Sequence, residues 1–152
     1  MNPMPESTPT PIITAVGGGR TWNVVGDKII CKVTGDHTHG AYAVVEEISP
    51  PQGGPPLHFH RSTDEIFYVI EGEYQVVCGD RTFSAPQGTV FVVPKSVPHS
   101  LRNISAATSR LLVTLIPGGF EKFFAEANDI TDPAKIMEIA KHHDVEFLPP
   151  KA

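Results

Sequence analysis

The spacing of its interruptions is what most limits the folds open to this chain. Between Pro11 and Ile116, short runs of aromatic and β-branched residues are broken roughly every 8 to 12 positions by turn signals: GGG at 17–19, GDK at 26–28, PPQGGPP at 50–56, GD at 79–80 and PQG at 86–88. Helices of ordinary length do not fit between such breaks, so the pattern predicts an all-β barrel or sandwich. The clearest strands are WNVV, KIICKV, AYAVVEEI, EIFYVIEG, YQVVCG, TVFVV and SRLLVTLI. The last of these is apolar on both faces, which places it in the middle of a sheet. The 13 glycines and 15 prolines in 152 residues supply the turns, yet stay below the roughly 25–30% that marks a disordered chain.

After Pro117 the period changes. In GFEKFFAEANDI and DPAKIMEIAKHHDV the apolar residues fall three and four apart, as on amphipathic helices. In the second segment Asp132 suits an N-cap with Pro133 in the first helical position, and Ile136, Ile139 and Ala140 share one face. This helix is expected to cover the barrel. Residues 1–11 hold four prolines among small polar residues and read as a flexible tail. The chain therefore divides into a tail (1–11), a barrel (12–116) and a helical segment (117–152) packed on it as one domain.

Charge and hydropathy narrow the function. A net charge of −5 offers no basic footprint for nucleic acid or anionic lipid. The longest apolar stretch, Leu111–Ile116, is far short of the roughly 20 residues a membrane helix needs. No early basic region precedes an apolar run, since the first basic residue is Arg20, so a cytoplasmic location is expected. Cys31 and Cys78 form no close pair and read as two buried free thiols.

Chemistry concentrates in PPLHFHRSTDEIFYVIEG and VPKSVPHSLRN. His58 and His60 are two apart, so on a strand both imidazoles point to one side while Phe59 points to the other. Glu65 has the wrong parity for the same unbroken strand, so RSTD must bend to turn its carboxylate inward. Beyond it, Phe67, Val69 and Glu71 share the carboxylate's face, with Ile66, Tyr68 and Ile70 opposite, until Gly72 lets the chain turn. His99 follows Pro98 and shares a face with Leu101. Three imidazoles and one carboxylate suit a divalent transition metal (nickel, iron, manganese, cobalt, copper or zinc), whereas magnesium and calcium prefer oxygen donors. On an octahedral ion, four protein donors leave two positions for exchangeable ligands.

These residues resemble the two motifs of the cupin superfamily. Gly53/Gly54, His58, His60, Glu65 and Gly72 are similar to the first motif, and Gly88, Pro94, His99 and Asn103 to the second, with Ser96 in place of its internal glycine. The resemblance implies a double-stranded β-helix, or jelly-roll barrel, with short C-terminal helices. It implies that His58, His60, Glu65 and His99 hold the metal, and that the protein is a homodimer with Ile12 to Val25 as candidate exchange strands. The segment after the barrel resembles cupins grouped with quercetinase, which implies dioxygenase chemistry on a flavonol or an enol- or diketone-like compound, with Glu65 accepting a substrate hydroxyl proton. Other cupins isomerise, decarboxylate or only bind small molecules, and those readings stand as alternatives.

Around the site, Phe67, Val69, Phe91, Leu101 and Phe120 are candidate walls of a substrate pocket. Phe120 and Phe124, four apart, are a candidate lid. A second His-x-His, His37 and His39, sits in a polar turn and reads as surface, as do His142 and His143 near the end of the last helix. Glu46, Glu47, Glu71 and Glu73 lie on strands where alternation can turn one carboxylate toward the metal as a rival general base.

Overall fold

The computed structural model describes residues 9–150, so residues 1–8 of the predicted tail lie outside the described residues. The chain forms two antiparallel sheets facing each other. The first contains β1 (Arg20–Val24), β2 (Asp27–Val33), β3 (Ala43–Ser49), β5 (Asp64–Glu71), β8 (Val90–Val93) and β10 (Ser109–Ile116), in the order β1-β2-β3-β10-β5-β8. The second contains β4 (His58–His60), β6 (Glu73–Cys78), β7 (Arg81–Pro86), β9 (His99–Asn103) and β11 (Val145–Phe147), in the order β11-β4-β9-β6-β7. This is the expected all-β jelly roll. The apolar alternation turns Val45, Phe67, Val69, Leu111, Val113 and Leu115 of the first sheet toward Tyr74, Val76 and Leu101 of the second, and these side chains are buried. SRLLVTLI does lie mid-sheet, between β3 and β5.

Two devices join the layers. Gly72 alone separates β5 from β6, so the chain changes sheet at one residue; its φ is +82°, and a Cβ there would stand 1.9 Å from Ser109 Oγ. Asn103 closes the end of β9. Its amide donates to the carbonyls of Ser49 (3.0 Å) and Ala107 (2.8 Å), and its oxygen accepts from Ser105 N (2.8 Å) and Ser109 Oγ (2.7 Å). One buried side chain thereby ties β3, β9 and the turn into β10 together.

Helices α1 (Glu121–Ala127) and α2 (Pro133–Ala140) follow. Asp132 caps α2 through Ala134 N at 3.0 Å, and Ile136 and Ala140 are buried with Ile139 beside them, as the spacing predicts. At the end of α1, Asn128 Oδ1 accepts from Asn23 N at 2.8 Å, which fastens the helix to β1.

The end of the chain departs from expectation. Helix α2 stops at Ala140, a 3₁₀ turn covers Lys141–His143, Asp144 adopts φ +55°, and Val145–Phe147 become β11 on the edge of the second sheet. The segment after 116 is therefore not purely helical. The left-handed residue ends the helix, and the alternation in VEF suits a strand once β4 offers an unpaired edge. His143 is also less exposed than expected: it lies 3.2 Å from Glu126 and edge-on to Phe123. Cys31 is buried, but Cys78 is only half-buried; both are free. Among the described residues no helix is long and apolar enough to cross a membrane.

Candidate metal centre

Strand β4 is only three residues long, and its placement begins upstream. Segment 50–56 lies along β9: Gln52 N donates to Asn103 O (2.9 Å), Asn103 N to Gly53 O (2.7 Å) and Leu101 N to Pro55 O (3.1 Å). Gly54 makes this approach possible, since at φ +135° a Cβ would fall 2.2 Å from Leu101 O. The chain then enters β4 with His58 directly opposite His99 of β9. His58 and His60 turn inward together, while Phe59 turns outward beneath the Arg61 guanidinium, 5.1 Å from the ring centroid.

Residues 61–63 make the predicted bend and carry the chain to the other sheet, where Glu65 is the first inward residue of β5. Its face continues through Phe67 and Val69, but Glu71, at the strand end, is exposed. His99 arrives after a turn in which Ser96 takes φ +71° and donates its amide to His60 O at 2.6 Å. Serine thus performs the left-handed turn that the motif glycine would make, held by the histidine strand itself.

One donor atom from each of His58, His60, Glu65 and His99 lies within 4.8 Å of the others, and all four residues are buried. His99 Nε2 is 2.8 Å from Glu65 Oε2, and His60 Nε2 is 3.4 Å from Glu65 Oε1. Nδ1 of His58 donates to Pro56 O (2.6 Å) and Nδ1 of His99 to Val97 O (3.0 Å), which leaves each Nε2 lone pair for the cluster. Burial, reinforced by the neighbouring imidazoles, lowers the pKa of His58 to about 3 and also lowers that of His60. Burial pushes Glu65 the other way, but His60, His99 and His58 together outweigh it and hold the carboxyl at about 2.

The cluster therefore gathers one carboxylate and three imidazoles in a dry site. His60 Nε2, His99 Nε2 and Glu65 Oε2 are buried without a directional hydrogen bond. Orphaned donor atoms of this kind, converging within ion-coordination reach, fit a divalent transition metal.

A cavity of about 50 Å³ opens onto the cluster. Of the five candidate wall residues, Phe67 and Phe120 line it. Val69 and Leu101 do not; they are buried in the core between the sheets. Phe91 stacks behind Phe67 at 4.8 Å. Phe120 and Phe124 both reach the cavity, and Phe120 lies edge-on to His60 at 4.4 Å. Phe123 and Phe147 complete the aromatic wall, two residues that helical spacing and a short terminal strand gave no reason to single out. The cavity shares Val25, Pro56 and Phe147 with an outer groove of about 550 Å³.

Among the four strand glutamates, Glu47 alone lines the cavity, joined there by Asp27. Glu46 faces the other way and pairs with Arg110 and Lys32. Glu71 is exposed and Glu73 half-buried. The second His-x-His stays in its turn, where His37 Nδ1 accepts from Thr34 N at 3.2 Å.

Comparison with known proteins agrees with this geometry. The cupin domain pattern matches residues 45–115, a span that runs from β3 to β10 and contains all four donors. The chain is 27% identical over 75 residues to an uncharacterized protein of Methanocaldococcus jannaschii and 27% identical over 114 residues to the quercetin 2,3-dioxygenase of Bacillus subtilis. These matches span 49% and 68% of this chain but only 60% and 33% of those proteins' own lengths. In structure it is similar to a predicted oxalate decarboxylase of Thermotoga maritima, with a TM-score of 0.63 at 18% identity over 69% of this chain and 98% of the other. Residues 45–115, which carry the His-x-His strand, a glutamate from the opposite sheet and a third histidine from a distant strand, are similar to the cupin domain, and the two facing antiparallel sheets share their fold with this neighbour.

Proposed function

We propose that this cupin is a metal-dependent enzyme acting on a small, oxygen-chelating organic substrate of the enol or diketone class, with dioxygenase chemistry as its reaction. The observation that carries the reading is the convergence of three imidazoles and one ionised carboxylate beside an aromatic-walled cavity that His58, His60 and Glu65 line. A transition metal bound there would supply Lewis acidity and redox capacity. His58 and His99 hold their tautomers through backbone carbonyls, Glu65 offers a carboxylate able to accept a substrate hydroxyl proton, and Phe67, Phe120 and Phe124 exclude water. Similarity to a quercetin dioxygenase supports the reaction class. The cavity size favours a substrate smaller than a flavonol, since about 50 Å³ accommodates only a few water-sized groups and a flavonol would have to thread the gap at Val25, Pro56 and Phe147.

The test is metal analysis of freshly purified protein, followed by dioxygen uptake on metal-loaded protein with enediols, β-diketones and flavonols. Stoichiometric redox-capable metal with uptake on the small compounds is the expected result. Product formation without uptake would replace this reading with an isomerase or lyase. Binding without turnover would replace it with a small-molecule-binding cupin.

A homodimer belongs to the same proposal: Ile13 and Val16 are exposed beside β1, the edge strand of the first sheet. Light scattering on the full chain tests it. A cytoplasmic location, in which Cys31 and Cys78 remain thiols, is consistent with this reading.

A further inference from the structure

We propose that Asp27 and Glu47 form a second ligand-binding subsite in the same cavity, a carboxyl pair holding one proton that accepts a hydrogen bond from a hydroxyl on the molecule whose other oxygens meet the metal donors. The proposal rests on the metal-chelating reading above and adds the feature that selects among chelating molecules.

Asp27 is the first residue of β2, and Glu47 projects from β3 on the same inward face as Val45 and Ser49. They are 3% and 8% exposed, and both line the cavity together with His58, His60 and Glu65. Because the metal donors come from β4, β5 and β9 while the pair comes from β2 and β3, one small molecule in the cavity has two different polar neighbourhoods.

Hydrogen bonds run one way into the pair. Tyr74 OH donates to Ser49 Oγ at 3.0 Å, and the Ser49 hydroxyl donates to Asp27 Oδ2 at 2.8 Å. That chain makes Asp27 Oδ2 an acceptor and leaves Oδ1 to face Glu47. Asp27 Oδ1 is fully buried and makes no hydrogen bond to a fixed side-chain donor, with the Glu47 carboxyl and the Gly54 backbone as its polar neighbours. A buried acceptor left unpaired costs on the order of 1–3 kcal/mol, and two adjacent buried carboxyls do not both ionise. One proton on Glu47, directed to Asp27 Oδ1, satisfies both constraints. Burial and the neighbouring Asp27 act in the same sense, pushing the Glu47 carboxyl well above its ordinary range.

With its proton given to Asp27, Glu47 keeps an oxygen that can only accept. Outside this pair and the metal donors, the side chains lining the cavity are apolar, among them Val24, Val25, Ile29 and Phe123, and none of these competes for a ligand hydroxyl. A lone acceptor in such a wall discriminates strongly, because a ligand lacking the donor leaves it unpaired. Two carboxyl groups without an imidazole do not make a second metal site, and the one convergent donor group among the described residues is that of His58, His60, Glu65 and His99.

The experiment uses full-length cobalt- or nickel-loaded protein and two probe series: alkyl hydroxamates of two to four carbons and the same compounds carrying a terminal hydroxyl. Both series share a metal-chelating head. At one chain length the hydroxyl compound should bind about tenfold more tightly than its alkyl partner, the worth of one buried hydrogen bond. Glu47→Leu should remove that preference and bring the two series to equal affinity. Glu47→Gln, whose amide can donate to Asp27 and still present a carbonyl oxygen, should retain it. No preference at any length in the wild type, or a preference intact in Glu47→Leu, would overturn the proposal. If no hydroxamate of either series binds, the metal-chelating reading fails, and infrared spectroscopy still decides the pair. A protonated-carboxyl stretch present in the wild type and absent from Glu47→Gln supports it, and its absence from the wild type overturns it.

Discussion

Phe147 stands directly opposite His58 in the β4–β11 ladder, with the two ring centroids 5.7 Å apart. The last strand of the chain therefore braces a metal donor that lies almost 90 positions earlier, and Leu148 N extends the brace by donating to Leu57 O at 2.9 Å. Without β11, the strand carrying His58 and His60 would be a three-residue edge paired with β9 alone. Phe147→Ala should lower metal affinity roughly tenfold, as loss of a group that orients a ligand does, with little change in secondary structure. Competition titration against a chromophoric chelator measures it; unchanged affinity would show that β4 is held by β9 alone.

The metal itself should stabilise the fold. Orphaned Nε2 and carboxylate atoms in a dry cluster cost free energy that a cation offsets. At an excess of 100 to 1,000 times its dissociation constant, the metal should add about 3–4 kcal/mol to wild-type stability. His99→Ala should bind almost none and melt at the same temperature with or without added metal, as read by calorimetry.

The donor set was legible in the sequence because strand parity is a strict rule. His58 and His60 had to share a face, Glu65 needed a bend before it, and the structure makes that bend by changing sheets at residues 61–63. Asp27 was not legible, since GDK reads as a turn signal and nothing local says that the turn residue points into a cavity. Glu47 was half legible: alternation with Val45 and Ser49 allowed it to face inward, but only the pairing of β3 with β2 brings it beside Asp27. VEF was absorbed into the preceding helical period because a three-residue strand has no periodicity of its own; its partner edge creates it. Leu101 and Val69 showed the right inward face, but inward in a barrel means core as often as cavity, and depth along the barrel axis is not written in the alternation.

Burial of His58 should cost the metal-free protein stability as pH falls below 6.5, while Glu47, whose carboxyl is raised well above its ordinary range, contributes in the opposite sense. The His58 pKa drops from 6.5 when unfolded to about 3 when folded, so between these values the unfolded chain binds a proton that the folded chain does not. Stability therefore decreases on acidification by about 1.4 kcal/mol per pH unit from this group alone. Glu65 acts in the same direction below 4.5, where the unfolded chain takes up a proton and the folded carboxylate resists it down to about 2. Urea unfolding of chelator-treated protein at pH 6.5, 5.5 and 4.5 reads the slope. His58→Leu should reduce it by about one proton, and an equal slope in that variant would remove His58 as its source.

Asn103 should be among the most sensitive positions outside the metal cluster. Its side chain makes four hydrogen bonds that join β3, β9 and the turn into β10, and it is completely buried. Asn103→Ala leaves two carbonyls and a backbone amide without partners, each costing on the order of 1 kcal/mol or more, so a total loss of about 3 kcal/mol is expected. Chemical denaturation measures it. A loss below about 1 kcal/mol would mean that water replaces the amide.

Val25 carries strain at the cavity mouth. It forms a two-residue hairpin loop with Gly26 between the paired residues Val24 and Asp27, with φ +49° at Val25 and +86° at Gly26. Both positions are left-handed, the geometry that Asn-Gly adopts readily and a β-branched residue does not. Yet Val25 lines both the cavity and the outer groove. An apolar side chain kept at a backbone angle that disfavours it is consistent with a role at the opening. Val25→Asn should therefore raise stability by about 1 kcal/mol, shifting Tm upward by about 2–4 °C, while weakening alkyl hydroxamate binding to the metal-loaded protein. A fall in Tm would show that packing at the opening outweighs the backbone strain, and a gain in Tm with unchanged binding would detach Val25 from the ligand path.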